Sequence, residues 1–207
     1  MSQPVDRSLA DKTGLRYDAS AAQWNNSRDQ SLFERPWLDR IRASIPPGSQ
    51  ILYVGCGTGS PIARYFIDHG HGVTGIDCAP RMIAVARATW PDQTWIASDM
   101  RALDLGRRFA AIIAFNSLFH LTPEDQRPMF SRFSDHLLPG GLLWFTSGPR
   151  AGEVTGATPA GEVYHASLAP DEYRGLLSVA GFDQIAFVPE DPDCNDHSLW
   201  LACRSAD

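Results

Sequence analysis

A chain of 207 residues, 43% hydrophobic and 20% charged, is long enough to bury one substantial core and has the balance of an ordinary globular protein. Its formal net charge is −6 and its basic side chains, nearly all arginine, are dispersed, which disfavours nucleic acid as a partner. Cys56, Cys78, Cys194 and Cys203 lack zinc-type or redox-pair spacing, so small buried thiols in a reducing compartment are expected, with no metal site. No apolar run reaches the roughly 18 residues of a membrane span and no signal-peptide core opens the chain, so a cytoplasmic location without membrane contact is expected.

In chain order, Met1 to about Gly14 is polar and aperiodic, predicting a mobile arm. Tyr17 to Ile45 reads as helical: Trp37, Leu38, Ile41 and Ile45 recur at helical spacing, Pro36 suits a first turn, and Pro46-Pro47-Gly48 stops the run. Strand Gln50–Val54 then enters the turn Gly55-Cys56-Gly57-Thr58-Gly59, and Ser60-Pro61 opens a helix with Ile62, Phe66 and Ile67 on one face. Strand Val73–Ile76 ends at Asp77, and a helix carrying Met82, Ile83 and Ala86 follows. Thr94–Ala97 and Ala110–Phe115 read as the third and fourth strands. A helix from about Thr122 presents Met129, Phe130, Phe133 and Leu137, with Pro128 distorting its first turns. Leu142–Thr146 is a fifth strand. The long, glycine-containing connection Ser147–Leu168 reads as a substrate lid.

A helix over Asp171–Ala180 precedes strands Gln184–Val188 and Ser198–Ala202, whose short connection makes them pair antiparallel. Apolar strands alternating with amphipathic helices predict an α/β fold. The expected form is a Rossmann-like three-layer sandwich: a mostly parallel seven-stranded sheet ending in an antiparallel hairpin, with an N-terminal helical extension. Residues 1–46 are expected to form an arm and helical lid, and 47–207 the core, within one domain overall.

In open parallel sheets ligands bind beyond the carboxyl ends of the strands. Those positions hold Gly55, Gly57 and Gly59, then Asp77, then Ser98-Asp99, then Asn116-Ser117-Leu118-Phe119-His120. Glycines let a ligand press against backbone, and the helix behind them offers unpaired N–H groups. The dinucleotide pattern G-x-G-x-x-G needs its third glycine at Ser60, whereas here it falls at Gly59.

G-x-G-x-G with Thr58, acids at Asp77 and Asp99 and the closing strand pair together resemble the class I S-adenosylmethionine-dependent methyltransferases, from about Tyr17 to Arg204. The resemblance implies a cofactor cradle at Gly55, Cys56, Gly57 and Gly59, with Cys78 and Met82 beside it. It implies that Asp77 holds the ribose, Asp99 meets the adenine amino group, Met100 packs on the adenine ring and Asn116 lines the methionine end. Asp77 and Asp99 also suit helix caps, and Met100 plain core. Tyr53 stands where the family usually carries an acid that helps hold the methionine ammonium. Its phenol offers a hydrogen bond without the charge.

Methyl transfer needs alignment, exclusion of water and, for some nucleophiles, removal of a proton. His120, at the rim of the expected cleft, suits the last task, though it also suits a cap for the next helix. His165, with Tyr164 beside it in the long connection, is the second candidate. Tyr17, Trp24 and Phe119 are expected to cover the substrate, although aromatic residues at helical spacing also form cores. His69 and His71 look like surface residues flanking Gly70. The expectation is methyl transfer from S-adenosyl-L-methionine to a small-molecule acceptor, mainly by proximity and alignment. A protein or peptide acceptor, a nicotinamide-dependent oxidoreductase and a non-catalytic cofactor-binding protein remain alternatives.

Overall fold

A computed structural model of the chain describes residues 5–206. Helices α1 (Ser8–Ala19) and α2 (Ala21–Ser27) come first, then α3 (Arg35–Ala43). The alternating part runs β1 (Gln50–Val54), α4 (Ile62–Asp68), β2 (Gly72–Asp77), α5 (Pro80–Thr89), β3 (Thr94–Ala97) and β4 (Phe109–Ala114). It continues with α6 (Pro123–Gln126), α7 (Met129–Asp135), β5 (Leu137–Ser147), β6 (Gly152–Thr158) and β7 (Gly161–Ser167). The chain closes with α8 (Pro170–Val179), β8 (Phe182–Asp191) and β9 (His197–Arg204).

Seven strands form one sheet in the order β3-β2-β1-β4-β5-β9-β8. The first five are parallel, and β9 runs antiparallel to both β5 and β8. This is the mostly parallel, Rossmann-like sheet with a terminal hairpin that the strand pattern predicts. Strand periodicity separates two cores, because successive side chains leave opposite faces. Ile51, Tyr53, Ile113 and Trp144 pack with Trp37, Leu38 and Ile41 of α3 and Phe66 of α4. Leu52, Val54, Ile112 and Leu143 face Phe130 and Phe133 of α7 and Tyr173 and Leu177 of α8. Helix α3 is therefore part of the main core, while α1 and α2 lie elsewhere.

The mobile arm predicted for Met1 to Gly14 is corrected by α1, although its first four residues lie outside the described ones. Leu9 packs with Tyr164 and Ala166 of β7. Arg7 Nε donates to Glu153 Oε2 at 2.8 Å, and Arg16 Nη1 to the Ala160 carbonyl at 2.6 Å. A polar segment that looks solvated in sequence thus finds its partners some 140 residues downstream.

The predicted loop lid over Ser147–Leu168 is also corrected, since most of it is the antiparallel hairpin β6–β7. Its Gly156 is needed for packing, not flexibility: a Cβ there would stand 2.5 Å from the ring of His165, its diagonal neighbour on β7. The helix expected from Thr122 is split into α6 and α7 around Arg127-Pro128, because proline lacks the N–H that would continue it. Leu137, expected on that helix, instead begins β5. His71 is buried, its ring nearly perpendicular to that of Phe66, instead of lying at the surface.

Candidate active site

Strand order reverses between β1 and β4, so the chain segments leaving these two strands part and open a crevice. Gly55 takes φ +70°, and a Cβ there would lie 2.2 Å from the Ser117 Cβ, so only glycine lets these two segments meet. Ser117 Oγ fastens the junction by donating to the Val54 carbonyl at 2.8 Å. Asp77, at the end of β2, accepts the Gly57 N–H at 2.8 Å and the Ala79 N–H at 2.9 Å. It therefore fixes the glycine turn and starts α5 while its side chain lines the crevice. Burial pushes the Asp77 carboxyl above its usual range, and those two N–H groups work against the shift.

The crevice is a cavity of about 330 Å³. Tyr53, Gly55, Cys56, Gly57, Asp77, Cys78, Met82, Asp99, Met100 and Asn116 line its floor and walls, and Tyr17, Trp24 and Arg28 come from the N-terminal segment. Gly57 leaves an open cradle, since the nearest atom to a Cβ there would be Trp24 Nε1 at 4.0 Å. Gly59 does not line the cavity. A Cβ on it would lie 2.8 Å from Trp90 and 3.0 Å from Trp95, so the third glycine serves tryptophan packing.

Asp99 accepts Arg101 Nε at 3.0 Å and Nη2 at 2.7 Å, as well as the Arg101 N–H at 2.8 Å. Burial opposes its charge, but the bonds from Arg101 prevail and hold the carboxyl below its usual value. Arg101 Nη1 also reaches Asp11 of α1 at 2.9 Å and Asp125 of α6 at 3.2 Å. One guanidinium thus joins three elements beside the cavity. Asn116 has φ +50°, and its Nδ2 lies 3.0 Å from His197 Nε2. His197 Nδ1 is 2.8 Å from the Cys194 carbonyl, which can only accept. In its neutral form His197 therefore offers Nε2 as an acceptor and orients the Asn116 amide.

His120 lines the cavity, with Nδ1 2.9 Å from the Tyr164 carbonyl and Nε2 3.2 Å from the Tyr17 hydroxyl. Since the carbonyl must accept, Nδ1 carries the hydrogen and Tyr17 donates to Nε2. Burial drives the His120 pKa down to about 4 and raises that of the Tyr17 phenol to about 12, so both are neutral. Tyr164 contributes its backbone. Its side chain does not line the cavity, and its hydroxyl donates to Glu153 at 2.6 Å. His165 and Phe119 also stand behind the wall: each ring is 4.8 Å from that of His120, and they are 4.8 Å from each other. Sequence reasoning missed Arg28, Arg101 and His197. They belong to no motif, and only folding brings them to the site.

A glycine cradle, acids after the second and third strands and a neutral histidine–tyrosine pair surround one crevice at the switch point of a Rossmann-like sheet. Residues 51–141 match the family model of the methyltransferase domain. Over 114 residues the chain is 34% identical to the dTDP-3-amino-3,4,6-trideoxy-alpha-D-glucopyranose N,N-dimethyltransferase of Streptomyces venezuelae, covering 52% of this chain and 48% of that one. It is 34% identical over 125 residues to the dTDP-3-amino-3,6-dideoxy-alpha-D-glucopyranose N,N-dimethyltransferase of Streptomyces fradiae, covering 57% of this chain and 49% of that one. These matches span about half the length of those relatives. The structure of CalS10 with SAM bound, an amino pentose methyltransferase from Micromonospora echinaspora, aligns with a TM-score of 0.70 at 25% identity, covering 90% of this chain and 96% of that one. The methyltransferase-domain match takes in a little under half of the chain, and the fold as a whole is similar to that of the SAM-bound CalS10 methyltransferase.

Proposed function

We propose that this chain transfers a methyl group from S-adenosyl-L-methionine to an amine on a small polar acceptor of the amino-sugar kind. The observation that carries the reading is the Tyr17–His120 pair beside the glycine cradle. A buried histidine with a pKa near 4, its Nε2 already accepting from Tyr17, is a poor general base at neutral pH. Such a site suits a nucleophile that arrives with a free lone pair, as a neutral amine does. The matched relatives are named for amine methylation of sugars, and their chemistry supports the same class here.

The cavity residues suit the cofactor: Gly55 and Gly57 leave room for it against backbone, Asp77 offers carboxylate lone pairs to ribose hydroxyls, and Met100 offers an apolar face to adenine. When bound, the sulfonium supplies an electrophilic methyl group. Tyr17, its proton committed to His120, presents its oxygen lone pairs to an acceptor N–H and aims the nitrogen. His120 holds Tyr17, and the Tyr164 carbonyl holds His120. Helices α1 and α2 wall this part of the cavity with Tyr17 and Trp24. A neutral amine would take the methyl group with its own lone pair and would give up its proton only after transfer, so no side chain at this site is required to act as a base.

Incubation with labelled S-adenosylmethionine and a panel of nucleotide-linked amino sugars, simple amines, phenols, thiols and peptides tests the reading. N-methylated sugar product is expected. Transfer to peptides or to oxygen alone overturns the acceptor class, and binding of NADH in place of S-adenosylmethionine overturns the chemistry.

A further inference from the structure

His197 opens β9, near the end of the chain and outside every recognised motif, and stands behind the cavity wall. Its ring is nonetheless closely fixed. Phe33 stacks on it with centroids 5.5 Å apart, and the Phe115 ring lies 5.1 Å away. Nδ1 faces two carbonyls, of Cys194 at 2.8 Å and Asn195 at 3.1 Å, and both can only accept. The hydrogen of the neutral ring is therefore on Nδ1, and Nε2 is bare. Asn195 and Asp196, at φ +52° and +55°, form the left-handed turn that leads into it.

The bare nitrogen sets the direction of Asn116, which lines the cavity and is itself left-handed at φ +50°. Nδ2 must be the amide atom that meets Nε2, at 3.0 Å. Thr146, buried near the end of β5, requires the same direction: its Oγ1 accepts the Asn116 N–H at 2.7 Å and keeps its own hydrogen for Oδ1 at 3.3 Å. A donor in place of the bare nitrogen would turn the amide over and put an NH2 group where the carbonyl now stands. We infer that His197, acting through Asn116, fixes how a primary amine is held for transfer. The Asn116 carbonyl takes one N–H of the acceptor and Tyr17 the other, which leaves the nitrogen lone pair free for the methyl group. An acceptor that already carries one methyl has a single N–H, and Tyr17 alone can hold it. The site thus depends on His197 more for a first methylation than for a second. The inference rests on the amine reading above. Asn116 is the binding residue and His197 a positioning residue.

Kinetics on the whole chain with dTDP-3-amino-3-deoxyglucose and its N-methyl derivative test this. Asn116→Gly removes the amide where glycine suits the backbone. His197→Phe keeps an aromatic ring beside Phe33 and Phe115 without the acceptor nitrogen, whereas His197→Gln restores an acceptor without the ring. Asn116→Gly and His197→Phe should lower kcat/KM for the primary amine about 3- to 10-fold more than for the N-methyl amine, the range of one neutral hydrogen bond. His197→Gln should recover most of that loss. A ring needed only for packing predicts the reverse, with phenylalanine tolerated and glutamine not. That reverse order, or an equal loss for both amines, overturns the inference. Nitrogen NMR of the wild type with S-adenosylhomocysteine tests it without any acceptor: His197 should carry its hydrogen on Nδ1, and a hydrogen on Nε2 overturns the inference. Methylation of neither amine by the wild type refutes the amine reading itself, and this inference with it.

Discussion

Burial strips water from His120 and lowers its pKa to about 4, whereas an unfolded histidine titrates near 6.5. Below pH 6.5 the unfolded chain takes up a proton that the native state refuses. The stability fully present above pH 6.5 is therefore lost as pH falls toward 4, and about 2 kcal/mol of it is gone by pH 5. Urea denaturation at pH 7 and pH 5 should show a drop smaller by about that amount in His120→Gln, and an equal drop would mean the ring is hydrated. Tyr17→Phe and His120→Gln should each slow turnover, with the double variant little worse than either alone, because the two act as one unit. Additive losses in kcat would separate them. Asp77 carries two duties, so Asp77→Ala should cost about 1.5–3 kcal/mol in S-adenosylhomocysteine binding and also lower the melting temperature. Unchanged affinity in calorimetry would confine Asp77 to shaping the turn.

Among the elements, α1 departs most from its sequence. Its buried apolar anchor is Leu9, which packs on Tyr164 and Ala166 of the hairpin β6–β7 with Ala10 beside it. Since α1 supplies Tyr17 to the cavity, that anchor sets how well the site is covered. Leu9→Ala should loosen the helix by about 2–4 kcal/mol. The expected result is faster hydrogen exchange over residues 8–19 and faster cofactor dissociation, with the exchange of β1 and β4 unchanged. Slower or unaltered dissociation would show that α1 does not gate the cavity. The hairpin was illegible for a related reason. Its glycines, read singly, look like loop residues, whereas Gly156 is required by the ring of His165 on the neighbouring strand.

At the scale of the molecule, a ligand that binds only the folded state raises its stability. At 100 times its dissociation constant the gain is about 2.7 kcal/mol, which for a chain of this size is about 5–10 °C in melting temperature. S-adenosylhomocysteine should produce such a shift and NADH none. The reverse result would restore the dinucleotide reading that the glycine spacing argues against. The sheet explains why one crevice gathers residues so far apart in sequence: each parallel strand delivers its carboxyl end to the same edge, and the reversal between β1 and β4 keeps that edge open.

The sheet and much of the cavity wall follow from the sequence because their signals are local. Strand periodicity, a glycine turn and an acid at a strand end each lie within a few residues of one another, so Gly55, Gly57, Asp77, Asp99 and Asn116 could be placed by position alone. The remainder depended on contacts between distant segments. The order of α1, the hairpin β6–β7, the bond from Tyr17 to His120 and that from Asn116 to His197 arise only when the chain is packed. Tyr164 shows the limit most clearly: its place next to His165 drew attention to its side chain, while the fold turns the phenol toward Glu153 and sets its carbonyl on His120. Adjacent residues in a strand face opposite ways, and which face meets the site is fixed by what packs against it.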